Sequence, residues 1–370
     1  MSIILSEHWK SIQGTLFSGL SLVLEESLTE KHKQVVAILE LVRVESHVVL
    51  PSRSLFGRPA HDLRCLARAF TAKAVYNLPT TEALIECLRT DSNLRAICGW
   101  TFRSRVPSSS TFSRVFASFA HGSLGDIVHQ ALVATHVGDA IVMHMSYDST
   151  AIIARERAAK KEKSLAIKVP RKRGRPKKGE ERPAPELKRL DIQLDQSADE
   201  ALADLPKICN WGSKLDTGGH IHTWKGWKGH LGWSDGGLPL GVVTTSASVH
   251  DSQVAIPLIR RTAKQVTSLY DLMDSAYDAP QIRQVSHEAG HVDIIDPNPR
   301  RYGVPVEKLF DPAMTERYKE RTTAERGNSR LKDEFGLRNL RVRGHAKAHL
   351  HIMFGVIALF ADQLLKPYTT

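Results

Sequence analysis

The strongest constraint on what this chain can fold into is a change of period near residue 135. Up to that point apolar side chains recur at helical spacing, as in TEKHKQVVAILELV and TTEALIECLRTDSNLRAICGW, and no strand alternation interrupts them. PSSSTFSRVFASFA adds a helix with Ser108 to Ser110 as N-cap oxygens ahead of a stripe of Phe112, Phe116 and Phe119. Beyond residue 135 the apolar residues come in short runs closed by acidic residues or turns. A helical period cannot be read as a strand without carrying half the apolar side chains off the core. The chain therefore divides into an all-α part, residues 1–135, and a strand-bearing part, residues 136–370. The helical part suits DNA reading and packing or dimerisation equally.

In the second part Ile141 to Tyr147 reads as a strand with Asp148 near its C-terminal end. KGHLGWSDGGLPLGVVTTSASVHDS reads as two strands joined at Asp235-Gly236-Gly237, a strong turn signal. SLYDLM is a further strand ending at Asp274, QIRQVSHEAG a helix closed by Gly290, and HVDIID a strand stopped by Pro297. Strand, hairpin, strand, helix, strand and a last helix make an α/β fold of RNase H type, a mixed sheet flanked by helices.

At 42% hydrophobic composition, 370 residues can bury proper cores, so the chain is not a disordered tail. The formal charge of +11 favours a polyanionic partner. Between Arg155 and Arg189 stand 15 Lys and Arg against 5 Glu, so nearly the whole excess lies in one segment. A basic, flexible insertion at about 155–210 is expected. LHIMFGVIALFA from Leu350 is too short for a membrane span and reads as a buried core helix. MSIILSEHWK has too brief an apolar run for a secretion signal, and four cysteines without C-x-x-C spacing fit a reducing compartment. Both point to the cytoplasm.

YKERTTAERGNSRLKDEFG sets Tyr318, Arg321, Glu325 and Lys332 at offsets 0, 3, 7 and 14. At about 3.6 residues per turn these fall in one stripe, a carboxylate flanked by cations. Cutting a phosphodiester needs a strong nucleophile at neutral pH and neutralisation of the phosphate, which two Mg²⁺ ions held by hard oxygen ligands supply. Asp148, Asp274 and Glu325, on three separate elements, offer those oxygens. Asp251, Asp271, Asp278 and Asp296 are acids that position alone does not exclude. HEAGH, His287 to His291, matches a zinc motif, but Gly290 ends the helix before the second histidine, so zinc catalysis is rejected.

With these residues in hand, the chain resembles a DDE transposase of a bacterial insertion sequence. A large branch of that family carries its third carboxylate in Y-x2-R-x3-E-x6-K, which Tyr318, Arg321, Glu325 and Lys332 match at every spacing. SYDST around Asp148 and LMDSAYD around Asp274 resemble the first and second acidic motifs, with Ala276 where the second often has Gly. The resemblance implies hydrolysis at the element's ends to free a 3′-OH, then attack of that 3′-OH on double-stranded target DNA. It implies Asp148, Asp274 and Glu325 as ligands of two Mg²⁺, with Mn²⁺ as substitute, and Tyr318 and Lys332 on phosphates of the element's end, with Arg321 orienting the site. Joining two ends implies at least a homodimer. A nuclease of the same fold without strand transfer, and a DNA-binding descendant without chemistry, are the alternatives.

Arg173-Gly174-Arg175-Pro176 resembles an AT-hook core, an extended run whose Arg173 and Arg175 can enter a narrow minor groove. Its alternative is a solvated linker. Trp211, Trp224, Trp227 and Trp233 suit core packing more than base stacking, while Lys225 and Lys228 between them are placed to face DNA. Arg338, Arg341, Arg343 and Lys347 form a further cationic run.

Overall fold

Each apolar stripe of the first part becomes a helix packed around phenylalanines. The computed structural model describes residues 28–50, 60–138, 140–160, 187–215, 218–298 and 310–366. Helices α1 (Glu30–Val42), α2 (Leu63–Val75), α3 (Thr81–Thr90), α4 (Ser92–Cys98), α5 (Ser109–His121) and α6 (Leu124–His136) precede the first strand. Thr29, Thr80 and Asp91 accept backbone N–H groups at the starts of α1, α3 and α4, which fixes where those helices begin. At α5 the expected cap is absent, because Ser108 Oγ bonds the hydroxyls of Ser110 and Thr111 instead of a backbone N–H. Phe70 of α2 meets Phe112, Phe116 and Phe119 edge-on at 5.6, 4.9 and 6.4 Å.

Six strands follow: β1 (Ile141–Ile153), β2 (Asn210–Leu215), β3 (Ile221–Ser234), β4 (Pro239–Ser246), β5 (Thr267–Met273) and β6 (Val292–Ile295). They form one mixed sheet in the order β2-β3-β1-β5-β6, with β4 pairing the second half of β3 beyond β2. β1, β5 and β6 are parallel, and β3 is antiparallel to its partners. This is the RNase H-like layout that the order of elements predicts, and the Asp235 to Gly237 turn joins β3 to β4 as expected. Trp227 and Trp233 are buried core residues, whereas Trp211 on edge strand β2 is exposed.

Four elements escape the pattern reading. Within the segment expected to be flexible, α7 (Arg189–Asp195), α8 (Ala198–Asp204) and β2 are folded. Arg260 holds α7 in place by donating to the carbonyls of Gln193, Leu194 and Gln196. Residues 161–186, with Arg173 and Arg175, lie outside the described residues. The fourth element is α9 (Ser252–Ala263), which links β4 to β5 with Pro257 inside it. Pro257 has no N–H for the carbonyl of Gln253, and Gln193 Nε2 donates to that carbonyl instead at 2.8 Å. A break in the helical signal is thus met by a tertiary hydrogen bond.

Between β5 and β6 lies α10 (Pro280–Glu288), and α11 (Pro312–Tyr318) and α12 (Thr322–Asp333) follow the sheet. The last helix, α13 (His345–Leu365), is long and apolar enough to cross a membrane but is mostly buried, which marks it as the expected core helix. It packs on α1, α2, α5 and α6 and on β4, with Phe354 5.8 Å from Phe70. The chain end therefore returns to the first helices, and both parts share one hydrophobic core.

Candidate active site

Strand register brings the acidic residues into line. Partners on β1 and β5 differ by 126 throughout, from Ile141↔Thr267 to Ser146↔Leu272, and Asp148 and Asp274 differ by the same number. Partners on β5 and β6 differ by 22, as in Met273↔Ile295, which puts Asp296 in the same row. Asp148 is not at the end of its strand, because β1 continues to Ile153 paired with β3 alone. It stands where β5 has left the sheet, which opens one side of β1 to whatever lies above. Asp274 is held at this level by accepting from the backbone N–H of Ala276 at 2.9 Å.

The stripe from Tyr318 to Lys332 is not one α-helix. Tyr318 ends α11, Lys319–Arg321 is a 3₁₀ turn, and Glu325 and Lys332 lie on α12. Tyr318, Lys319, Arg321 and Thr322 all keep right-handed helical dihedrals, so the path runs on through a tightened turn. Its consequence is central to the site. Arg321 Nη1 donates to Glu325 Oε1 at 2.9 Å, while Nη2 lies 3.7 Å from Asp148 Oδ1 and 3.5 Å from Asp274 Oδ2. One guanidinium thus joins all three predicted carboxylates.

Asp148 is held under electrostatic strain. Burial pushes its carboxyl above the usual carboxylate range, Arg321 opposes that shift, and Asp274 adds to it. Asn328 Nδ2 donates to Asp148 Oδ2 at 2.9 Å. Asp296 is also pushed up, first by burial and then by Asp274, and its carboxylate has no hydrogen-bond partner among the described residues. Half-buried Tyr318 has its phenol pushed well above its ordinary value by burial, and it packs on Phe310 at 5.5 Å. Lys332 is pushed down by burial first, with Arg338 and Lys214 acting the same way and Asp148 opposing.

Several contacts hold α11 and α12 onto the sheet. Gly327 lies on Trp233 so closely that a Cβ there would sit 2.5 Å from the indole ring. Ser146 Oγ reaches the carbonyl of Glu320 at 3.5 Å, and the Arg317 guanidinium lies over the Tyr270 ring at 4.2 Å. The site thus rests on packed elements and not on loops.

Six of the predicted residues converge here: Asp148, Asp274, Tyr318, Arg321, Glu325 and Lys332. Lys228 does not join them and does not face DNA. It is buried, and its ammonium donates to the carbonyl of Val249 and to Asp251 Oδ1, both at 2.9 Å. Lys228 belongs on the same sheet face as buried His230, so its charge is neutralised inside the protein. Lys228→Met should therefore cost up to about 3–5 kcal/mol, since it removes the ammonium paired with the partly buried Asp251 carboxylate, and leave the salt dependence of DNA binding as in wild type. Chemical denaturation and anisotropy titrations check the two halves.

Asp251, Asp271 and Asp278 also have other partners. Asp271 is fully buried and accepts from Ser286 and His291, while Asp278 pairs with Arg283. The HEAGH histidines separate as expected: His287 faces Asp293, Gly290 turns the chain at φ +80°, and His291 lies under β5. Asn328 and Asp296 were not singled out as site residues. Asn328 follows Glu325 by three, the spacing of one helix face, which is a usable signal.

Among the described residues no three acids, histidines or cysteines stand close enough to ligate one ion as they are. The guanidinium of Arg321 supplies one cation to all three carboxylates. Oxygen donors on three elements around one positive charge, with Asp148 short of compensation, suit a hard divalent cation.

The comparisons with known proteins now bear on this geometry. A family model described as a transposase DDE domain matches residues 198–361, and one described as a transposase domain (DUF772) matches residues 22–118. The chain belongs to the DDE transposases of insertion-sequence type. Together the two matches span more than two thirds of the 370 residues of the transposase. They include Asp274 and Glu325 but not Asp148, whose membership in the row comes from strand register. No curated protein and no solved structure matches the transposase. Members of this family act on DNA and in general use divalent metals.

Proposed function

We propose that this transposase cuts and rejoins DNA at Asp148, Asp274 and Glu325, in the branch with the Y-x2-R-x3-E-x6-K signature. The observation that carries the reading is the single guanidinium shared by carboxylates from three elements. Asp148, Asp274 and Glu325 would hold two divalent ions, Mg²⁺ or Mn²⁺, which when bound lower the pKa of water and neutralise charge on the phosphate. Arg321, which donates to Glu325, would keep that carboxylate oriented. Tyr318 and Lys332 contact phosphates of the element's end.

In the first step a water oxygen bonds to phosphorus, the bond to the 3′ oxygen breaks, and the departing oxygen takes up the proton that water releases. The freed 3′-OH then bonds to a target phosphorus, and the target's own 3′ oxygen leaves as the new hydroxyl. Two ends joined in one event require at least two copies of the chain, and the transposase acts in the cytoplasm where the chromosome is accessible. Nicking and joining of DNA carrying the element's ends, with and without Mg²⁺, tests this. Nicking without joining would instead indicate a nuclease.

The segment 161–186 contributes DNA affinity of its own through Arg173 and Arg175. Deleting Arg171 to Lys178 removes six cations. The slope of log affinity against log salt should become shallower by up to about 5, at about 0.9 per lost phosphate contact. An unchanged slope would mark the segment as a linker.

A further inference from the structure

A second cationic site lies away from the carboxylates. A cleft of about 420 Å³ opens between the helical part and the chain leading into α13. Lys73, Arg155, Arg341, Arg343 and Lys347 line it, and Glu82 is the one acid in its wall among the described residues. None of these five cations makes an ion pair among the described residues, unlike Arg321, Arg330 and Lys228, which all do. Lys73 of α2 and Arg155 at the end of β1 join Arg341, Arg343 and Lys347, which lie on the approach to and the first turn of α13, so three distant parts of the chain meet here. A second hollow, lined by Arg155, Glu156, Arg157 and Arg343, shares Arg155 and Arg343 with the cleft and continues the strip.

Crowding cations without counter-charge is unfavourable unless an anion joins them. Ser109 and Ser113 of α5 also line the cleft, and the uncapped start of that helix adds partial positive charge there. We propose that this cleft seats the sugar-phosphate backbone of DNA whose cleaved phosphodiester lies at the carboxylates. This rests on the proposed chemistry at Asp148, Asp274 and Glu325, and it adds a contact track that no catalytic residue supplies.

Dimensions fit a duplex running from one site to the other. β1 carries Asp148, and Ala154 still pairs with β3 through a 2.9 Å bond to the carbonyl of Lys225, so the chain stays extended almost to Arg155. Seven residues at roughly 3.3 Å each span about 23 Å. At about 3.4 Å per base pair this places the contact about seven base pairs from the reacting phosphate. A strip of guanidinium groups suits successive phosphates, which planar forks bind bidentately. Lys73 agrees with this: burial pulls its pKa down to about 8, and a nearby phosphate would favour its charged form.

The test uses the full chain in EDTA and fluorescent duplexes, one carrying the element's end and one unrelated, titrated across a range of salt. The triple variant Arg341→Gln, Arg343→Gln, Lys347→Gln should make the salt slope shallower by about 2–3. Loss on the element's end alone assigns the cleft to that DNA, and equal loss on both assigns it to backbone of either source. An unchanged slope on both overturns the proposal. A measurement independent of variant folding uses wild-type protein and duplexes with methylphosphonates six to eight base pairs inside the cleavage point. Weaker binding than with the same neutral linkages at the far end supports the cleft, and equal binding overturns it. Wild type that binds but never nicks in Mg²⁺ would remove the proposed chemistry and leave the cleft standing.

Discussion

Glu325→Gln should leave the fold and the binding of the element's ends intact while lowering nicking and joining by at least about 10²–10³-fold, the loss seen when one preorganised charge-stabilising group is removed. The amide keeps the shape of the side chain and removes its charge. Stability should hardly move, because the Glu325 side chain is 59% exposed and its pair with Arg321 lies at the helix surface. Activity should collapse, because Glu325 is the member of the trio that comes from α12 and closes the site from above the sheet. Single-turnover cleavage, anisotropy binding and thermal melting separate the three readouts. Glu320→Gln on the same segment is the control and should behave as wild type. Nicking by Glu325→Gln within about tenfold of wild type would remove Glu325 from the chemistry and shift attention to Asp296, the acid of the same row whose carboxylate has no hydrogen-bond partner among the described residues.

The order of these acids was legible in the chain, and so were the strands that carry Asp148 and Asp274. Their alignment was not. Register between β1 and β5 is set by pairing across 126 positions, and local pattern says nothing about which residues will face each other. Asp296 was visible only as one acid after a short strand, and its place beside Asp274 also depends on register. Lys228 was misread for a related reason. A lysine between tryptophans looks solvent-facing, but β3 is covered on both faces over its second half, so its charge had to be met by Asp251. The 3₁₀ turn at Lys319–Arg321 leaves no clear mark in sequence, since every residue there is compatible with an α-helix. Yet it is this turn that aims Arg321 at Asp148 and Asp274 as well as at Glu325.

Gly327→Ala should damage the enzyme although alanine is the better helix former. Propensity alone favours alanine by about 1 kcal/mol. Against that, the new methyl group would meet three atoms of the Trp233 ring at 2.5–2.6 Å, and real contacts of this kind do not occur. The ring cannot retreat, because Trp233 is fully buried. Overpacking of this kind costs about 1–3 kcal/mol, so the clash outweighs the propensity gain and α12 must lift from the sheet. Glu325 and Asn328 ride on the same helix and would move with it, away from Asp148. A displacement near 1 Å is enough to cost about 10²-fold in rate, so cleavage should fall by that order while the ends are still bound. Denaturant unfolding and single-turnover kinetics read the two effects together. Trp233→Leu in the same chain should relieve part of the strain, giving a double variant less destabilised than the sum of the two single ones. Strict additivity would mean that the helix and the ring do not touch, and that the glycine is there for another reason.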